Sequence, residues 1–244
     1  PPRSTLFPYT TLFRSNYVGI PQGTQPLPDD LALQLVHGYY ACVTYVDAQI
    51  GRLLQALDRF KLREKTIIVL WGDHGWKLGE HGLWGKHTPF EWDCRAPLII
   101  SAPHLSAAGQ RTWALAEFVD IYPTLCDLCG LARPDHLQGD SLAPLWQNPS
   151  RPWKRAAFTQ WPKKDRDDPD KIITGYAIKT DRYRYVEWTR VNTLTILARE
   201  LYDHKTDPDE NINLADLVDQ QPLVQSLSRL LNHGDGWRTL RPRP

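Results

Sequence analysis

Apolar side chains recur at helical spacing over a long stretch early in the chain. Between residues 30 and 62 they follow the i, i+3, i+4, i+7 pattern, and no proline interrupts them. This pattern predicts one long amphipathic helix whose charged side chains lie mainly on the other face. Asp29 or Asp30 suits the N-cap position, because a carboxylate can accept hydrogen bonds from the unpaired amides of the first turn.

Two short apolar runs follow this helix and predict strands. The first covers 66–72 and the second 97–100. The length and composition of the first run are typical of a strand that is buried on both faces. A second helix is predicted from Asp120 as its cap, with Pro123 in the first turn and Gly130 at the end. The order helix, strand, strand, helix indicates an α/β layer architecture.

The pattern changes towards the carboxyl end. Prolines, lysines and aspartates dominate 146–170, which predicts a connecting loop with a solvated charge run. Short segments rich in Tyr, Ile, Val or Trp then follow and predict an antiparallel sheet, and an amphipathic helix closes the pattern. The predicted strands are 172–179, 183–188 and 200–203, and the predicted helix is 222–231.

The first 28 residues are rich in proline and lack apolar periodicity, so we expect no packed element there. Within them, 5–15 resembles the conceptual translation of a sequencing adapter, and we exclude it from the fold interpretation. We therefore expect the natural amino terminus to be missing. The predicted parts are a disordered leader over 1–28, an α/β domain over 29–145 and an α+β subdomain over 146–244.

Composition excludes several classes of partner. The 244 residues are 41% hydrophobic, which is enough to bury a sizeable core. Because 29 lysines and arginines balance 28 acidic residues, no global field attracts nucleic acid or an acidic membrane surface. No apolar run is long enough for a membrane span. The pair Cys126 and Cys129 is interpreted as ordinary thiols rather than as a metal or redox site.

Chemically active side chains are densest directly after the first predicted strand. Asp73 and His74 are adjacent there, and four glycines between positions 75 and 85 permit tight turns and close backbone approach to a ligand. The carboxyl end of a strand is also where ligands bind in open α/β sheets. Taken alone, however, the Asp-His-Gly tripeptide favours a capping acid and a structural histidine.

Other side chains in this segment are candidates for metal or anion binding. His74, His81 and His87 are spaced by seven and six residues, so they lack the i, i+4 separation of a helical zinc motif. Lys86 is a stronger candidate, because it can act as an anion-binding point charge after a glycine-rich loop.

The segment WGDHGWKLGEHGLWGKHTPFEWDCRAPLII resembles the sulfatase family of the alkaline-phosphatase-like superfamily, most of all its iduronate-2-sulfatase and choline-sulfatase members. Further segments resemble the same family in the same order: GYYACVTYVDAQIGRLLQALD, VDIYPTLCDLCGL, LQGDSLAPL, GYAIKTDRYRYVEW and ELYDHKTDPDENINLA. The resemblance implies an α/β fold with a partial alkaline-phosphatase-like sheet and flanking helices. A small carboxyl-terminal antiparallel sheet with a helix follows it.

The resemblance also implies a chemistry. The family hydrolyses sulfate esters with a formylglycine nucleophile made from a cysteine and with one calcium ion, so a sulfated small molecule or sulfated glycan is the implied partner. Asp73 and His74 match metal positions, although calcium prefers the carboxylate and a water- or sulfate-facing role remains the alternative for His74. Lys86 matches the catalytic lysine that contacts the sulfate. Trp76 and His81 lie nearby as candidate pocket walls.

One departure from the family pattern limits this chemistry. The nucleophile signature, Cys or Ser followed by x-Pro-x-Arg, is absent, since Val-Thr follows Cys42 and Arg-Ala follows Cys94. The early Asp-Asp pair of the family's calcium site is not matched either. We therefore expect a carboxyl-terminal fragment that carries half of the site and is inactive alone. The alternatives are a phosphonate or phosphodiester hydrolase of the same superfamily and a non-catalytic domain whose metal cluster is structural.

Overall fold

The computed structural model describes residues 14–15, 17, 20, 27–103, 105, 109–165, 168, 171–190 and 195–232. The α-helices of these residues are α1 (Asp29–Arg59), α2 (Glu91–Cys94), α3 (Ile121–Leu128), α4 (Pro144–Gln147) and α5 (Gln221–Asn232). The strands are β1 (Arg14–Ser15), β2 (Ile68–Trp71), β3 (Lys77–Leu78), β4 (Leu83–Gly85), β5 (Leu98–Ser101), β6 (Ala157–Lys164), β7 (Ile172–Lys179), β8 (Tyr183–Arg190) and β9 (Ile196–Asp203).

The chain separates into two compact units, each assembled from stretches that are distant in sequence. Unit 1 comprises Pro1–Gln25, His74–Arg95 and Lys154–Pro244. Unit 2 comprises Pro26–Asp73 and Ala96–Trp153. None of the helices in the described residues combines the length and the hydropathy that a membrane span requires.

In unit 2, α1 confirms the predicted long helix, but the predicted aspartate cap is wrong. Pro28 takes the N-cap position in an extended conformation, and no side chain caps the helix. Asp29 and Asp30 lie instead in the first turn, where their charges favour the positive end of the helix dipole. No residue of α1 is buried, and apolar side chains such as Leu53 and Tyr40 are exposed among the described residues.

The predicted strands of unit 2 form an antiparallel pair, β2 with β5. Ile68 lies opposite Ser101 and Trp71 opposite Leu98. The expectation that β2 is buried on both faces is wrong, since none of its residues is buried and Trp71 is 49% exposed. Within the described residues β5 is the only strand that pairs with β2, so few side chains are available to cover it.

The helix predicted around 120–130 is confirmed as α3, and its end is a Schellman motif. Gly130 has a φ of 65°, in the left-handed region that glycine adopts at low cost. The Leu131 amide donates to the Cys126 carbonyl at 2.8 Å, and the Gly130 amide donates to the Asp127 carbonyl at 3.1 Å. These bonds satisfy carbonyls that the helix end leaves unpaired.

Asp120 does not cap α3 as predicted. A 3₁₀ turn over Phe118–Asp120 precedes α3, so Asp120 is already helical when α3 begins. Its carboxylate accepts the Glu117 amide at 2.8 Å and the Asp140 amide at 2.9 Å. The buried side chain therefore joins two loops of unit 2 rather than closing the first turn of the helix.

Unit 1 contains an antiparallel sheet with the strand order β6-β7-β8-β9. β7 confirms the predicted strand 172–179, and β8 and β9 extend the other two predicted strands. The prediction of a loop over 146–170 is wrong for β6. This strand lies at the edge of the sheet, where the missing amide hydrogen of Pro162 and the lysines beside it do little harm.

The two faces of this sheet are covered differently. On one face Ile178, Tyr185 and Leu201 pack with Val224 and Leu231 of α5, which confirms the predicted carboxyl-terminal helix. The other face carries a second apolar cluster of Ile173, Ala177, Val186 and Trp188.

The short strand β1 corrects the expectation that no element forms within 1–28. It pairs in parallel with β4, Arg14 opposite Leu83 and Ser15 opposite Trp84. Backbone pairing of this kind needs no apolar periodicity, which is why the pattern did not indicate it. Apart from Arg14–Ser15, residues 17 and 20, and 27–28, the predicted leader and adapter-like stretch lie outside the described residues.

Glu200 lies buried on the second face of the sheet. Trp188 Nε1 donates a hydrogen bond to its carboxyl, and the Tyr202 hydroxyl lies 3.5 Å from the other carboxyl oxygen. Burial raises the pKa of Glu200 from an ordinary 4.5 to about 8, although the hydrogen bond from Trp188 opposes the shift. At neutral pH this carboxyl is therefore protonated in the folded chain.

The raised pKa of Glu200 predicts that unit 1 loses stability as the pH rises from 5 towards 8. In this range the unfolded chain has released the proton that the folded chain retains, so the free energy of unfolding falls by up to about 1.4 kcal/mol per pH unit. Glu200→Gln, which keeps the acceptor for Trp188, should flatten this dependence in urea titrations followed by tryptophan fluorescence. An equal pH dependence in both proteins would contradict the assignment.

Candidate functional site

The segment between residues 74 and 95 is built on a tight hairpin. β3 and β4 pair with Lys77 opposite Gly85 and Leu78 opposite Trp84. Gly85 has a φ of 140°, and His87 has a φ of 96°, which is unusual for a residue with a side chain. Glycine adopts such a φ at low cost, so the unfavourable backbone conformation beside Lys86 is that of His87.

His74 and Lys86, predicted from sequence for metal and sulfate, lie in contact within unit 1. His74 Nδ1 is 2.7 Å from the Gly75 carbonyl oxygen. Because a carbonyl only accepts, Nδ1 carries a hydrogen, and Nε2 is the ring nitrogen that faces Lys86. Lys86 Nζ contacts that Nε2. The arrangement thus places the half-buried side chain of Lys86 against the imidazole of His74.

Asp73 is the last residue of unit 2 before the chain enters unit 1. It is exposed and lies at the rim of an open cleft of about 430 Å³. The other residues that line the cleft are mainly apolar: Trp71, Phe118, Ile121, Tyr122 and Leu125. Asp73 is therefore the acidic group of this cleft.

The two candidate pocket residues lie in different surroundings. The Trp76 ring centroid is 6.1 Å from that of His74. The His81 ring stacks on the Phe90 ring with 4.2 Å between the centroids. Burial lowers the pKa of His81, and nearby Lys77 adds to the effect. His81 thus belongs to the packing around Phe90, whereas Trp76 adjoins the pair of His74 and Lys86.

His87, a candidate metal ligand by sequence, packs against the four-stranded sheet of unit 1. Its ring centroid lies 4.7 Å from that of Trp161 on β6. Burial lowers the pKa of His87, and the charge of Lys86 contributes in the same direction. The ring is therefore held neutral beside the lysine.

A buried ionic cluster in unit 1 was not indicated by the sequence pattern. Glu91, His204 and Glu210 place possible metal-ligating atoms within 4.8 Å of one another, the one such group of three among the described residues. Arg184 Nε donates to Glu210 at 2.7 Å, and its guanidinium also pairs with Glu91. His204 Nε2 lies 2.7 Å from Glu210. Because the guanidinium pairs with both carboxylates and offsets one of their two charges, ion pairing with Arg184 explains much of the cluster without a metal ion.

A second buried ion pair joins α2 to the hairpin that precedes Lys86. Lys77 is fully buried and pairs with the carboxylate of Asp93. Burial lowers the pKa of Lys77, while the Asp93 carboxylate opposes that shift. Neither residue carries a motif of its own, so the sequence does not indicate this pair, and only the structure shows that the two side chains are in contact.

Two family profiles match the chain and together cover most of it. The profile described as sulfatase matches residues 8–131. The profile described as N-sulphoglucosamine sulphohydrolase, C-terminal, matches residues 79–235.

Individual relatives agree with these profiles. A sulfatase of Formosa agariphila is 34% identical over 198 residues, covering 81% of this chain and 36% of the relative. Human iduronate 2-sulfatase is 31% identical over 257 aligned positions, covering 81% of this chain and 46% of the relative. The chain thus spans between about a third and a half of the length of these curated relatives.

Solved structures show the same fold. One, determined in complex with its substrate D-glucosamine-2-N,6-O-disulfate, matches 78% of this chain and 38% of its own with a TM-score of 0.67 and 32% identity. The phosphonate monoester hydrolase of Agrobacterium radiobacter matches 79% of this chain and 39% of its own with a TM-score of 0.69 and 28% identity. The predicted alkaline-phosphatase-like α/β fold is thereby confirmed. With both profiles matching half of its residues or more, the chain belongs to the sulfatase family.

Proposed function

We propose that this chain supplies metal-binding and sulfate-binding residues of a sulfuric ester hydrolase of the iduronate-2-sulfatase type. The observation that carries the proposal is the contact of Lys86 with His74, directly after Asp73, in a member of the sulfatase family. A sulfated small molecule or sulfated glycan is the proposed substrate. A structural relative solved with a disulfated glucosamine as its substrate supports this class.

Asp73 and His74 are the proposed metal ligands, with calcium as the ion. Asp73 offers carboxylate oxygen, which calcium prefers. His74 donates Nδ1–H to a backbone carbonyl, and metal-binding histidines are commonly oriented by such a bond. Asp73 therefore suits a calcium ligand better than His74 does, and a water- or sulfate-facing role is the alternative for His74. A bound calcium ion would supply positive charge next to the sulfate oxygens.

Lys86 is the proposed catalytic residue. His74 Nε2 has one lone pair, so it cannot accept from Lys86 and ligate a cation at once. We propose that Lys86 turns its ammonium group to the substrate sulfate when the metal is bound. There it would offset the negative charge that develops as the ester bond breaks. Trp76, beside His74, and His81 are retained as proposed substrate contacts.

The nucleophile is proposed to come from outside this sequence. The family signature for formylglycine is absent, and the cysteines that are present do not replace it. Burial raises the pKa of Cys94, which keeps its thiol protonated and poorly nucleophilic. Cys42 is exposed on α1. The chain alone is therefore proposed to bind but not to hydrolyse a sulfate ester.

A phosphonate or phosphodiester hydrolase is the second candidate function. The structural match to a phosphonate monoester hydrolase favours it, and a metal ion with a lysine would serve either tetrahedral anion. A structural metal cluster without catalysis is the third candidate, and it would use Glu91, His204 and Glu210.

Replacing Lys86 by alanine should weaken the binding of inorganic sulfate at least about tenfold, because a hydrogen bond to a charged group contributes roughly 1.5–3 kcal/mol. Calorimetric titration at low ionic strength measures this affinity. Lys205→Ala, at an exposed lysine of the same unit, is the matched control and should bind like the parent chain. Equal affinity of Lys86→Ala and the parent would contradict the role of Lys86. Tighter binding of methylphosphonate than of sulfate would favour the second candidate.

Asp73→Asn should reduce calcium affinity, since it removes the charged oxygen ligand. Calcium titration calorimetry compares it with Asp135→Asn, an exposed acid of the same unit that should bind normally. Glu210→Gln tests the structural cluster. Loss of calcium binding in Glu210→Gln together with normal binding in Asp73→Asn would move the metal site to the cluster.

The chain alone should not turn over an aryl sulfate, because no residue in it can form the covalent sulfo-enzyme. Absorbance of the released phenol measures turnover, with a complete sulfatase as positive control. Turnover that disappears in Lys86→Ala would show that a nucleophile is present in this sequence after all.

A further inference from the structure

Asp93 connects the two backbone stretches that carry His74 and Lys86. Its main-chain carbonyl accepts a hydrogen bond from the Gly75 amide at 2.7 Å. Its carboxylate Oδ2 accepts from the Thr88 amide at 2.7 Å and from the Thr88 hydroxyl at 2.6 Å. Asp93 thus holds Gly75, the neighbour of His74, and Thr88, which lies two residues after Lys86.

The other carboxylate oxygen of Asp93 reaches the strand on the far side of Lys86. Oδ1 pairs with the buried ammonium of Lys77, which also donates to the Thr88 hydroxyl at 2.7 Å. Lys77 lies opposite Gly85 in the hairpin. Lys86 therefore lies between Gly85, which pairs with Lys77, and the stretch that Asp93 holds through Thr88.

The backbone between these two anchors needs such restraint. His87 has a φ of 96°, a left-handed conformation that a residue with a side chain rarely adopts. Unfavourable conformations of this kind persist only where the surroundings determine them. The bonds from Thr88 to Asp93 begin at the next residue and provide that restraint.

The close approach of α2 to residue 75 has a steric signature. A Cβ atom on Gly75 would lie 1.9 Å from the Trp92 carbonyl oxygen and 2.9 Å from that of Arg95. Only glycine permits this contact without a shift of the backbone. The stretch that carries His74 is thus seated directly on the helix that carries Asp93.

We propose that Asp93 is a positioning residue that sets the place of the Lys86 ammonium group relative to His74. The proposal rests on the proposed sulfate-binding role of Lys86. Asp93 is 6% exposed, and its carboxylate acts through Thr88 and Lys77 rather than on the substrate. Preorganisation of this kind contributes to binding because the loop loses less freedom when the anion arrives.

Thr88 offers the gentlest test, because its hydroxyl can be removed or kept at nearly constant size. Thr88→Val deletes the bonds of the hydroxyl to Asp93 Oδ2 and from Lys77 but keeps the main-chain amide bond to Oδ2. It should weaken inorganic sulfate binding about tenfold, since small misplacements are costly. Thr88→Ser keeps the hydroxyl and should bind within about twofold of the parent. Asp93→Asn should show a larger loss than Thr88→Val, because it also leaves the buried Lys77 without its counter-charge.

Glu187→Gln is the matched control for a purely structural effect. Glu187 is a buried carboxylate of the same unit, bonded to Tyr185, Ser228 and Asn232 instead of to the loop. Its substitution should lower the free energy of unfolding, measured in urea, but leave sulfate affinity unchanged. Sulfate affinity that follows unfolding free energy across all four variants would reduce Asp93 to a structural residue and overturn the proposal.

Amide hydrogen exchange over residues 85–88 separates this proposal from the proposed function. Asp93→Asn and Thr88→Val should raise exchange there by at least about tenfold, whether or not sulfate binds. If the parent chain and Lys86→Ala bind sulfate alike, the sulfate role of Lys86 fails, and this exchange alone then decides the positioning. Unchanged exchange in both variants overturns the positioning role of Asp93. Where Lys86→Ala does weaken sulfate binding, sulfate affinity equal to the parent in both variants overturns it as well.

Discussion

The buried guanidinium of Arg184 is the interaction on which the arrangement of unit 1 depends. It extends from β8 at 2% exposure and binds carboxylates from two distant parts of the chain, Glu91 of α2 and Glu210. Burial alone would lower the pKa of Arg184, but the nearby negative charges outweigh it and raise that pKa. In the same way, contacts with His204 and Arg184 lower the pKa of Glu210 despite its burial. Since breaking a buried pair costs about 3–5 kcal/mol, these groups stay charged and joined.

This cluster matters for the site because α2 is too short to hold its own position. Four residues make a single turn, which is unstable without tertiary contacts. The main-chain amide of Glu91 donates a hydrogen bond to the Glu210 carboxylate at 2.8 Å and so holds the start of the turn. Phe90 packs against Tyr202 of β9. Asp93 in turn holds the loop around Lys86 through the hydrogen bonds that it accepts from Thr88. The carboxyl-terminal sheet therefore acts as the base on which the hairpin with Lys86 is placed.

The sequence pattern predicted elements wherever one periodicity governs a whole segment. Alternation gave β7 correctly, and helical spacing gave α1 and α5 within a few residues. The pattern failed where position in the sheet outweighs composition. β6 carries Pro162 and lysines, which indicate a loop, yet an edge strand tolerates both. The prediction that Asp120 caps α3 was wrong for a related reason. A 3₁₀ turn precedes α3 and changes which amides the Asp120 carboxylate can reach.

The candidate site likewise contains residues that the sequence indicates and one that only the structure shows. Asp73, His74 and Lys86 could be chosen from sequence because they lie in one recognisable segment, but no spacing rule predicts that Lys86 contacts His74. Asp93 lies in that segment too and carries no motif of its own. Its importance follows from burial, from four bonds to residues 75, 77 and 88, and from the unfavourable φ of His87 between them. A loop with such a conformation needs a rigid partner, and a buried carboxylate that accepts several hydrogen bonds supplies one at low cost in side-chain entropy.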